Sequence, residues 1–238
     1  MPTIQSIINK ARVEGRVLLS EIESKELLAD AGIRVVETRL ATSREEAISI
    51  AEQLGLPAVL KIASTEITHK SDAGGVKVDL RTAAQVGEAY DDIITAVKKS
   101  FPGKEISGVA VQKMCLPGIE VIVGMSRDDQ FGPMLMFGLG GILVELLKDV
   151  SFRIVPLTKR DAREMIREIK SYPVLAGYRG QPGADVSKLE DMLLKISAFL
   201  ENDQEIQELD LNPVFAYADD AIAVDARVIL REKLKSHD

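Results

Sequence analysis

The sequence is poor in cysteine, histidine and aromatic residues. Its 238 residues include one cysteine, two histidines and no tryptophan, and aromatic side chains make up 4% of the chain. Because Cys115 is the only cysteine, no disulfide can form within the chain, which is typical of proteins in the reducing cytoplasm. We therefore expect a cytoplasmic protein. The only histidine inside the chain is His69, since His237 is the second-last residue.

Long apolar segments and an excess of positive charge are also missing. No stretch approaches the roughly 18 apolar residues of a membrane span, and residues 1–20 lack the apolar core of a signal peptide. The formal net charge is −7, which disfavours binding to nucleic acid or to anionic membranes. We expect no partner of either kind. The chain is long enough, and at 46% hydrophobic residues apolar enough, to bury a sizeable core.

Capping residues followed by apolar residues at helical spacing predict several helices. A serine followed three residues later by an acid, as at Ser20 and Glu23, has the spacing of a capping box. Apolar residues then recur every three or four positions, which is the period of one helix face. The predicted helices begin after Ser20, Ser43, Thr82 and Thr158, and a last one covers Leu189, Met192, Leu193, Ile196 and Leu200.

Short apolar segments between the helices predict strands. Hairpins are frequent among them, so we expect mixed or antiparallel sheets and the α+β fold class. A boundary near residues 103–110 divides the chain into a helical leader with a small lobe (1–109) and a larger lobe (110–238). The predicted strands are 33–40, 58–63, 75–80, 108–114, 119–125, 133–137, 151–156, 207–217 and 221–229.

Lys61 stands in the otherwise apolar segment AVLKIA, residues 58–63. A buried ammonium is unfavourable unless an anion meets it. Two interpretations stay open: a lysine on an edge strand that faces water, or a clamp for a ligand phosphate. The glycines of DAGG (72–75) and FGLGG (137–141) also allow close approach to a phosphate, although neither segment has the Walker or the dinucleotide pattern.

The segment ELDLNPVFAYADDAIAVDARV, residues 208–228, places polar residues in an apolar hairpin. Asp210 and Asn212 are two residues apart and share one face of a strand. If the turn near Asp219 and Asp220 has an even number of residues, Asp225 lies on the same face, at or near the position opposite Asn212. Carboxylate and amide oxygens suit Mg²⁺ that also binds nucleotide phosphates, so the hairpin predicts a metal site.

Three further charged residues occupy less distinctive positions. Glu120 begins an apolar strand, and contact with a nucleotide or exposure to solvent would explain it equally well. Glu145 and Arg153 are possible site residues, but their spacing is uninformative.

His69 lies in EITHKSDAGG, residues 66–75, and is either a surface residue or a nucleophile that carries a phosphoryl group. Neutral imidazole is a good nucleophile near neutral pH and can form a phosphohistidine. Gly74 and Gly75 would allow a loop movement that delivers the ring to a phosphate. An acid such as Asp210 could hold the other ring nitrogen and fix the tautomer.

Several segments together resemble one known family. They are VLKIASTEITHKSDAGGVKVDL, GIEVIVG, FGLGGILVELLKDVSFRIVPL, GYRGQPGADV, and ELDLNPVFAY with AVDARV. In this order they resemble the β subunit of ADP-forming acetyl-CoA synthetase, a relative of succinyl-CoA synthetase, from about residue 20 to residue 230. The resemblance implies an ATP-grasp fold with nucleotide bound between two α+β lobes. It also implies the reaction acyl-CoA + ADP + phosphate ⇌ acid + ATP + CoA.

The resemblance assigns a role to each candidate residue. His69, in the THKSD motif, would carry a phosphoryl group between a partner phosphohistidine and ADP or ATP, and Asp210 would steady the phosphohistidine. Asn212 and Asp225 would bind Mg²⁺. The nucleotide would be contacted by Lys61, by Glu120 and by an adenine hinge formed by Val111, Gln112, Lys113 and Met114.

The resemblance also implies a partner. In this family a separate α subunit carries the CoA-binding and ligase domains, and the two subunits form an α2β2 heterotetramer. The chain stops soon after Asp225, without the extra ligase-type domain of succinyl-CoA synthetase β chains, so we expect it to need this partner.

Three other functions stay open from the sequence. An ATP-grasp carboxylate–amine ligase would need no histidine in the loop, so His69 argues against it. A non-catalytic nucleotide-sensing module would be favoured by loss of the site residues, all of which are present. A purely structural protein would bind no ATP.

Overall fold

A computed structural model describes residues 2–64, 66–67, 74–141 and 148–232. The chain forms two compact units. The four-strand unit comprises Ser20–Lys25 and Val36–Leu116, and the six-strand unit comprises Met1–Leu19, Glu26–Val35 and Pro117–Asp238. Two helices open the chain, α1 (Ile4–Val13) and α2 (Glu21–Asp30). The division at residues 109 and 110 stays a prediction about functional lobes, whereas the compact units divide the chain after Leu116.

The four-strand unit is an antiparallel sheet with two helices of its own. Its elements are β1 (Thr38–Ala41), α3 (Arg44–Leu54), β2 (Ala58–Ala63), β3 (Val76–Leu80), α4 (Ala83–Ser100) and β4 (Gly108–Lys113). The strand order is β1–β4–β2–β3. Leu60, Ile93 and Val109 are fully buried in one hydrophobic cluster, so α4 packs its apolar stripe on the sheet. Because the strand order places β1 and β3 at the edges, β2 and β4 are the interior strands.

The six-strand unit is also antiparallel, with helices covering one face of its sheet. Its elements are β5 (Ile119–Asp128), β6 (Gly132–Leu139), β7 (Val150–Ile154), α5 (Lys159–Glu168), α6 (Tyr172–Ala176), α7 (Val186–Asn202), β8 (Ile206–Ala216), β9 (Ala221–Ala223) and β10 (Arg227–Leu230). The strand order is β10–β8–β5–β6–β7, and β9 pairs with β8. Leu135 and Phe137 of β6 share a buried cluster with Met165 and Ile166 of α5 and Leu193 of α7.

The capping signals in the sequence are confirmed with one variation. At the start of α2, the Ser20 hydroxyl accepts from the Glu23 amide (3.2 Å), and the Ser20 amide donates to the Glu23 carboxylate (2.9 Å). The box at the start of α5 also forms. At α3, Ser43 caps the Glu46 amide, but the Glu46 carboxylate accepts from Thr42 instead. The helix start is fixed in each case, because the first amides find side-chain partners.

Some strand predictions were wrong in extent. A strand was predicted over residues 33–40, but β1 begins only at Thr38 and covers Thr38–Ala41. The segment 221–229 forms two strands, β9 and β10, which are separated by residues 224–226. Within this interruption the Asp225 carboxylate accepts a hydrogen bond from the Ala226 amide (2.8 Å). Strands β4 and β5 are separated by a short segment, yet they belong to different sheets. The antiparallel pairing and the α+β class are confirmed. None of the helices formed by the described residues has the length and apolar character that a membrane crossing requires.

Candidate functional site

Strand β8 carries polar side chains on the sheet face opposite the helices. Buried and exposed residues alternate along this strand: Leu209 and Leu211 are buried, and Asp210 and Asn212 are exposed. This alternation follows from the pleat, which sends successive side chains to opposite faces. The two polar residues therefore share the uncovered face, as the sequence predicts.

Asp225 lies in the interruption of the hairpin next to Asn212. Val214 pairs with Ala223 in β9, and Asp210 pairs with Arg227 in β10. The two pairs keep the same offset on either side of residues 224–226, which belong to neither strand. The Val224 amide also donates to the Pro213 carbonyl (2.9 Å), and this bond holds the hairpin together next to Asp225. We call the group of Asp210, Asn212, Asp225 and Arg227 the hairpin face.

The charges of the hairpin face act on one another. Desolvation by the surrounding protein raises the pKa of Asp210, the positive charge of Arg227 lowers it, and the negative charge of Asp225 raises it. Solvent still reaches the residue, so the desolvation is partial. Arg227 was missed from the sequence, although it lies two residues after Asp225. Its guanidinium stabilises the carboxylate against the two effects that favour the neutral acid.

The donor set of the hairpin face fits a divalent cation that is shared with a ligand. Asp210 and Asp225 supply carboxylates and Asn212 supplies an amide oxygen, which are hard ligands of the kind that Mg²⁺ takes. Within the described part of the chain, no cluster of three or more His, Cys, Asp or Glu side chains could hold a metal by itself. A cation here would need oxygen ligands beyond those of the described residues, and nucleotide phosphates can supply them.

Glu120 lies at the start of β5, where two glycines pass close to it. The Gly140 amide donates to the Glu120 carbonyl (2.7 Å). A Cβ on Gly140 would lie 3.0 Å from the Glu120 Cβ and 3.1 Å from its carbonyl carbon, so only glycine allows this approach. A Cβ on Gly141 would lie 3.5 Å from the Glu120 carboxylate. The FGLGG segment therefore packs against an exposed acid.

Lys61 is buried in an interior strand, and the edge-strand interpretation is wrong. Its residue exposure is 7%, and its Nζ lies 2.8 Å from Oε1 of Glu21. The anion that the buried ammonium meets is thus a carboxylate at the start of α2. Lys25, one helical turn further along α2, donates to the same oxygen (2.9 Å). The spacing of Glu21 and Lys25 at i and i+4 was the sequence signal for this pair.

The segment 111–114 forms the end of β4. Val111 and Gln112 pair with strands on both sides, and the Met114 amide donates to the Pro57 carbonyl (2.9 Å). Peptide groups point alternately to the two neighbouring strands, so those of Lys113 point towards β1. The last pair of β1 is Thr38 with Gln112, so Lys113 lies beyond the end of that ladder.

The other candidates divide into two groups. His69 and Glu145 lie outside the described residues. Arg153 of β7 forms an ion pair with Glu168 of α5 (2.6 Å), and this ion pair is a structural explanation for the residue.

Comparisons with known proteins show the family of this chain. The family model of the ATP-grasp domain matches residues 10–230. The β subunit of ADP-forming acetate–CoA ligase I from Pyrococcus furiosus is 50% identical over 226 residues, which cover 95% of this chain and 97% of the relative.

Solved structures of acetyl-coenzyme A synthetase 1 from Candidatus Korarchaeum cryptofilum are similar over nearly the whole chain. The complex with coenzyme A, Ca-AMPCP and HgCl⁺ matches with a TM-score of 0.93 at 47% identity, covering 95% of this chain and 99% of that chain. The complex with coenzyme A and Mg-AMPPCP, whose phosphohistidine segment points towards the nucleotide binding site, matches with a TM-score of 0.86 at 43% identity and covers 96% and 100%. The chain therefore belongs to the ATP-grasp family and, within it, to the β subunits of ADP-forming acetate–CoA ligases.

Proposed function

We propose that this chain is the nucleotide-binding catalytic subunit of an ADP-forming acyl-CoA synthetase that catalyses acyl-CoA + ADP + phosphate ⇌ acid + ATP + CoA. Its part in the reaction is phosphoryl transfer between a histidine and the nucleotide. The observation that carries the proposal is the hairpin face, with the Asp210 carboxylate and the Asn212 amide exposed on β8 and the Asp225 carboxylate in the segment between β9 and β10. A structural hairpin would have no need for this set of donors on an apolar strand.

The hairpin face would hold the metal. Asn212 on β8 and Asp225 between β9 and β10 are the proposed ligands of Mg²⁺. When bound, the ion neutralises charge on the nucleotide phosphates. The two side chains would fix its position through their oxygen atoms. Burial raises the pKa of the neighbouring Asp210, and the positive charge of Arg227 lowers it.

Three groups of residues would contact the nucleotide. Lys61 presents a buried ammonium, which suits a phosphate oxygen. Lys113, beyond the β1 ladder, and Met114 would offer backbone groups to the adenine, next to Val111 and Gln112 in the strand. Glu120, held beside Gly140, would contact the ribose or an ion.

His69 and Asp210 would perform the transfer. In the direction of ATP formation, an oxygen of the ADP β-phosphate forms a bond to the phosphorus of phosphorylated His69. The phosphorus–nitrogen bond breaks at the same time, which gives ATP and neutral imidazole. Asp210 would accept a hydrogen bond from the other ring nitrogen and so orient the ring. Its position on the exposed face of β8 makes the carboxylate accessible for this role.

A partner is part of the proposal. The Pyrococcus relative is named as a β subunit, which supports an α subunit for this chain as well. We propose that the α subunit brings the CoA-binding and ligase functions and a first phosphohistidine, in an α2β2 heterotetramer. The cytoplasm, expected from the single cysteine, is the proposed location.

The test is to incubate the purified chain with Mg-ATP labelled in the γ-phosphate and to map acid-labile, alkali-stable phosphate by mass spectrometry. Label on His69 would support the proposal, and the His69→Ala chain serves as the control for label at other positions. The same incubation with a co-purified α subunit shows whether the partner is required. Absence of label in both incubations would contradict the carrier role.

The labelling experiment and a thermal-shift measurement with Mg-ATP together distinguish the proposal from the alternatives. A carboxylate–amine ligase would bind Mg-ATP and leave His69 unlabelled even with the α subunit present. A nucleotide-sensing module would bind Mg-ATP without any covalent label. A structural protein would show no thermal shift with Mg-ATP.

A further inference from the structure

A single carboxylate oxygen joins two buried lysines in the four-strand unit. Oε1 of Glu21 accepts from Lys25 Nζ (2.9 Å) and from Lys61 Nζ (2.8 Å). The exposed fractions of the three side chains are 5%, 3% and 9%, respectively. The two ammonium groups cannot be farther apart than the sum of these two distances. Like charges this close repel each other in a poorly hydrated interior, and the carboxylate between them offsets that repulsion.

The network extends from Lys25 to the strand of the predicted adenine hinge. Lys25 Nζ also donates to Oε1 of Gln112 (2.7 Å) and to the Thr38 hydroxyl (2.9 Å). An ammonium only donates, so the carboxamide oxygen of Gln112 must face Lys25. Gln112 is 1% exposed, and its side chain is therefore held in one orientation inside the sheet.

The position of Glu21 is itself fixed by local structure. It is the first residue of α2, and the reciprocal capping bonds of Ser20 and Glu23 set where that helix begins. Lys25 lies four residues further along and so shares the face of Glu21. Helix α2 thus presents an acid and a base together to β2 and β4, which carry Lys61 and Gln112.

The charges of the network also affect the residues that follow β4. Burial raises the pKa of Cys115, while the positive charges of Lys25, Lys61 and Lys113 lower it. The ammonium groups of the network therefore lie near the segment that follows Gln112. The hydrogen bonds of Glu21 and Lys25 likewise connect Lys61 with Gln112 within the four-strand unit.

We propose that Glu21 and Lys25 are positioning residues for nucleotide binding: Glu21 holds the Lys61 ammonium where it meets a phosphate, and Lys25 holds the side chain of Gln112 beside the adenine segment. This inference rests on the proposed function of Lys61 and Gln112 in binding nucleotide. A lysine side chain has about 2 kcal/mol of rotamer entropy to lose when it is ordered. Ordering it before the ligand arrives strengthens binding, because less freedom is lost in the complex.

A double-mutant cycle tests the role of Glu21. Binding of Mg-ADP to the full chain is measured by calorimetry for the parent, Glu21→Gln, Lys61→Met and the double variant. We expect Glu21→Gln to raise the Kd about tenfold, equivalent to about 1.4 kcal/mol. We expect the double variant to lose less affinity than the sum of the two single losses, because the part of the Glu21 effect that acts through Lys61 is already absent in Lys61→Met.

The outcomes of the cycle distinguish the possible failures. If Glu21→Gln leaves the Kd unchanged or lowers it, the carboxylate does not position Lys61 and the inference is wrong. If the two losses add in the double variant, Glu21 acts elsewhere and the inference is also wrong. If Lys61→Met itself binds Mg-ADP normally, the proposed nucleotide role of Lys61 fails, and the inference fails with it.

Two controls separate positioning from loss of stability. Ile93→Ala removes buried apolar volume from α4 without touching the network, so its Kd shows what destabilisation alone does. Glu21→Asp keeps the negative charge but shortens the reach, and it replaces Glu21→Gln in the cycle if that variant does not fold. A loss of affinity in Ile93→Ala equal to that in the Glu21 variant, at an equal drop in Tm, would overturn the inference.

Discussion

Replacing Lys61 by methionine removes one ammonium from the interior and keeps most of the apolar stem. The Lys61 side chain is 9% exposed, and its Nζ lies 2.8 Å from Glu21. Breaking a buried ion pair costs about 3–5 kcal/mol when the remaining charge has no partner. Here Glu21 keeps Lys25 at 2.9 Å, so the loss of stability should stay below that range and the variant should fold.

The same replacement should also weaken ligand binding. A hydrogen bond to a charged group contributes about 1.5–3 kcal/mol. Loss of the contact between Lys61 and a phosphate is therefore expected to raise the Kd for Mg-ADP by about 12-fold to about 150-fold. Calorimetric titration of the parent and variant chains measures this difference directly.

Lys77→Met is the matched control. Lys77 lies on β3, beside the strand of Lys61, and its side chain is 39% exposed and paired with Asp92 at 3.0 Å. The same charge is removed from the same unit, so any general effect of net charge is reproduced. Equal affinity in Lys61→Met and Lys77→Met would show that Lys61 makes no specific contact with the nucleotide.

Three further changes test the rest of the site. Asp225→Ala should raise the Mg²⁺ concentration required for nucleotide binding by at least about tenfold, through loss of a charged ligand; an unchanged requirement in a Mg²⁺ titration would place the metal elsewhere. His69→Ala should abolish acyl-CoA turnover with the α subunit present while Mg-ATP affinity stays nearly unchanged, and normal turnover would exclude a carrier role. The pKa of Asp210 is raised in the fold, so the fold favours the protonated acid. The stability gained from protonation is present below the unfolded pKa of about 3.9 and is lost as the pH rises through the folded pKa. Asp210→Asn should therefore be more stable than the parent at neutral pH and lose this advantage near pH 3; denaturant unfolding giving the same difference at both pH values would contradict this.

The local elements of the fold followed from the sequence because their causes are local. The capping residues at Ser20 and Thr158 fixed two helix starts, and the apolar periods fixed the faces that these helices bury. The part of the hairpin face that lies on β8 was predictable for the same reason. Residues two apart on a strand share a face whatever else the chain does, so Asp210 and Asn212 had to lie together.

The residues around Lys61 could not be found in this way. Glu21 precedes Lys61 by 40 positions, and Lys25 precedes Gln112 by 87. No periodic pattern connects such distant positions. The sequence showed only that the buried ammonium needed an anion, and it offered a ligand phosphate without revealing the carboxylate on α2.

The sequence by itself determined the α+β class, most helix and strand positions, the polar face of β8 and, through its motifs, the family. The tertiary structure alone decided that β4 and β5 lie in different sheets, that β2 is an interior strand, and that Lys61, Lys25 and Gln112 meet around Glu21. The physical reason is the range of the interactions. Backbone geometry and caps act over a few residues, whereas buried charges find their partners only when the chain has closed on itself.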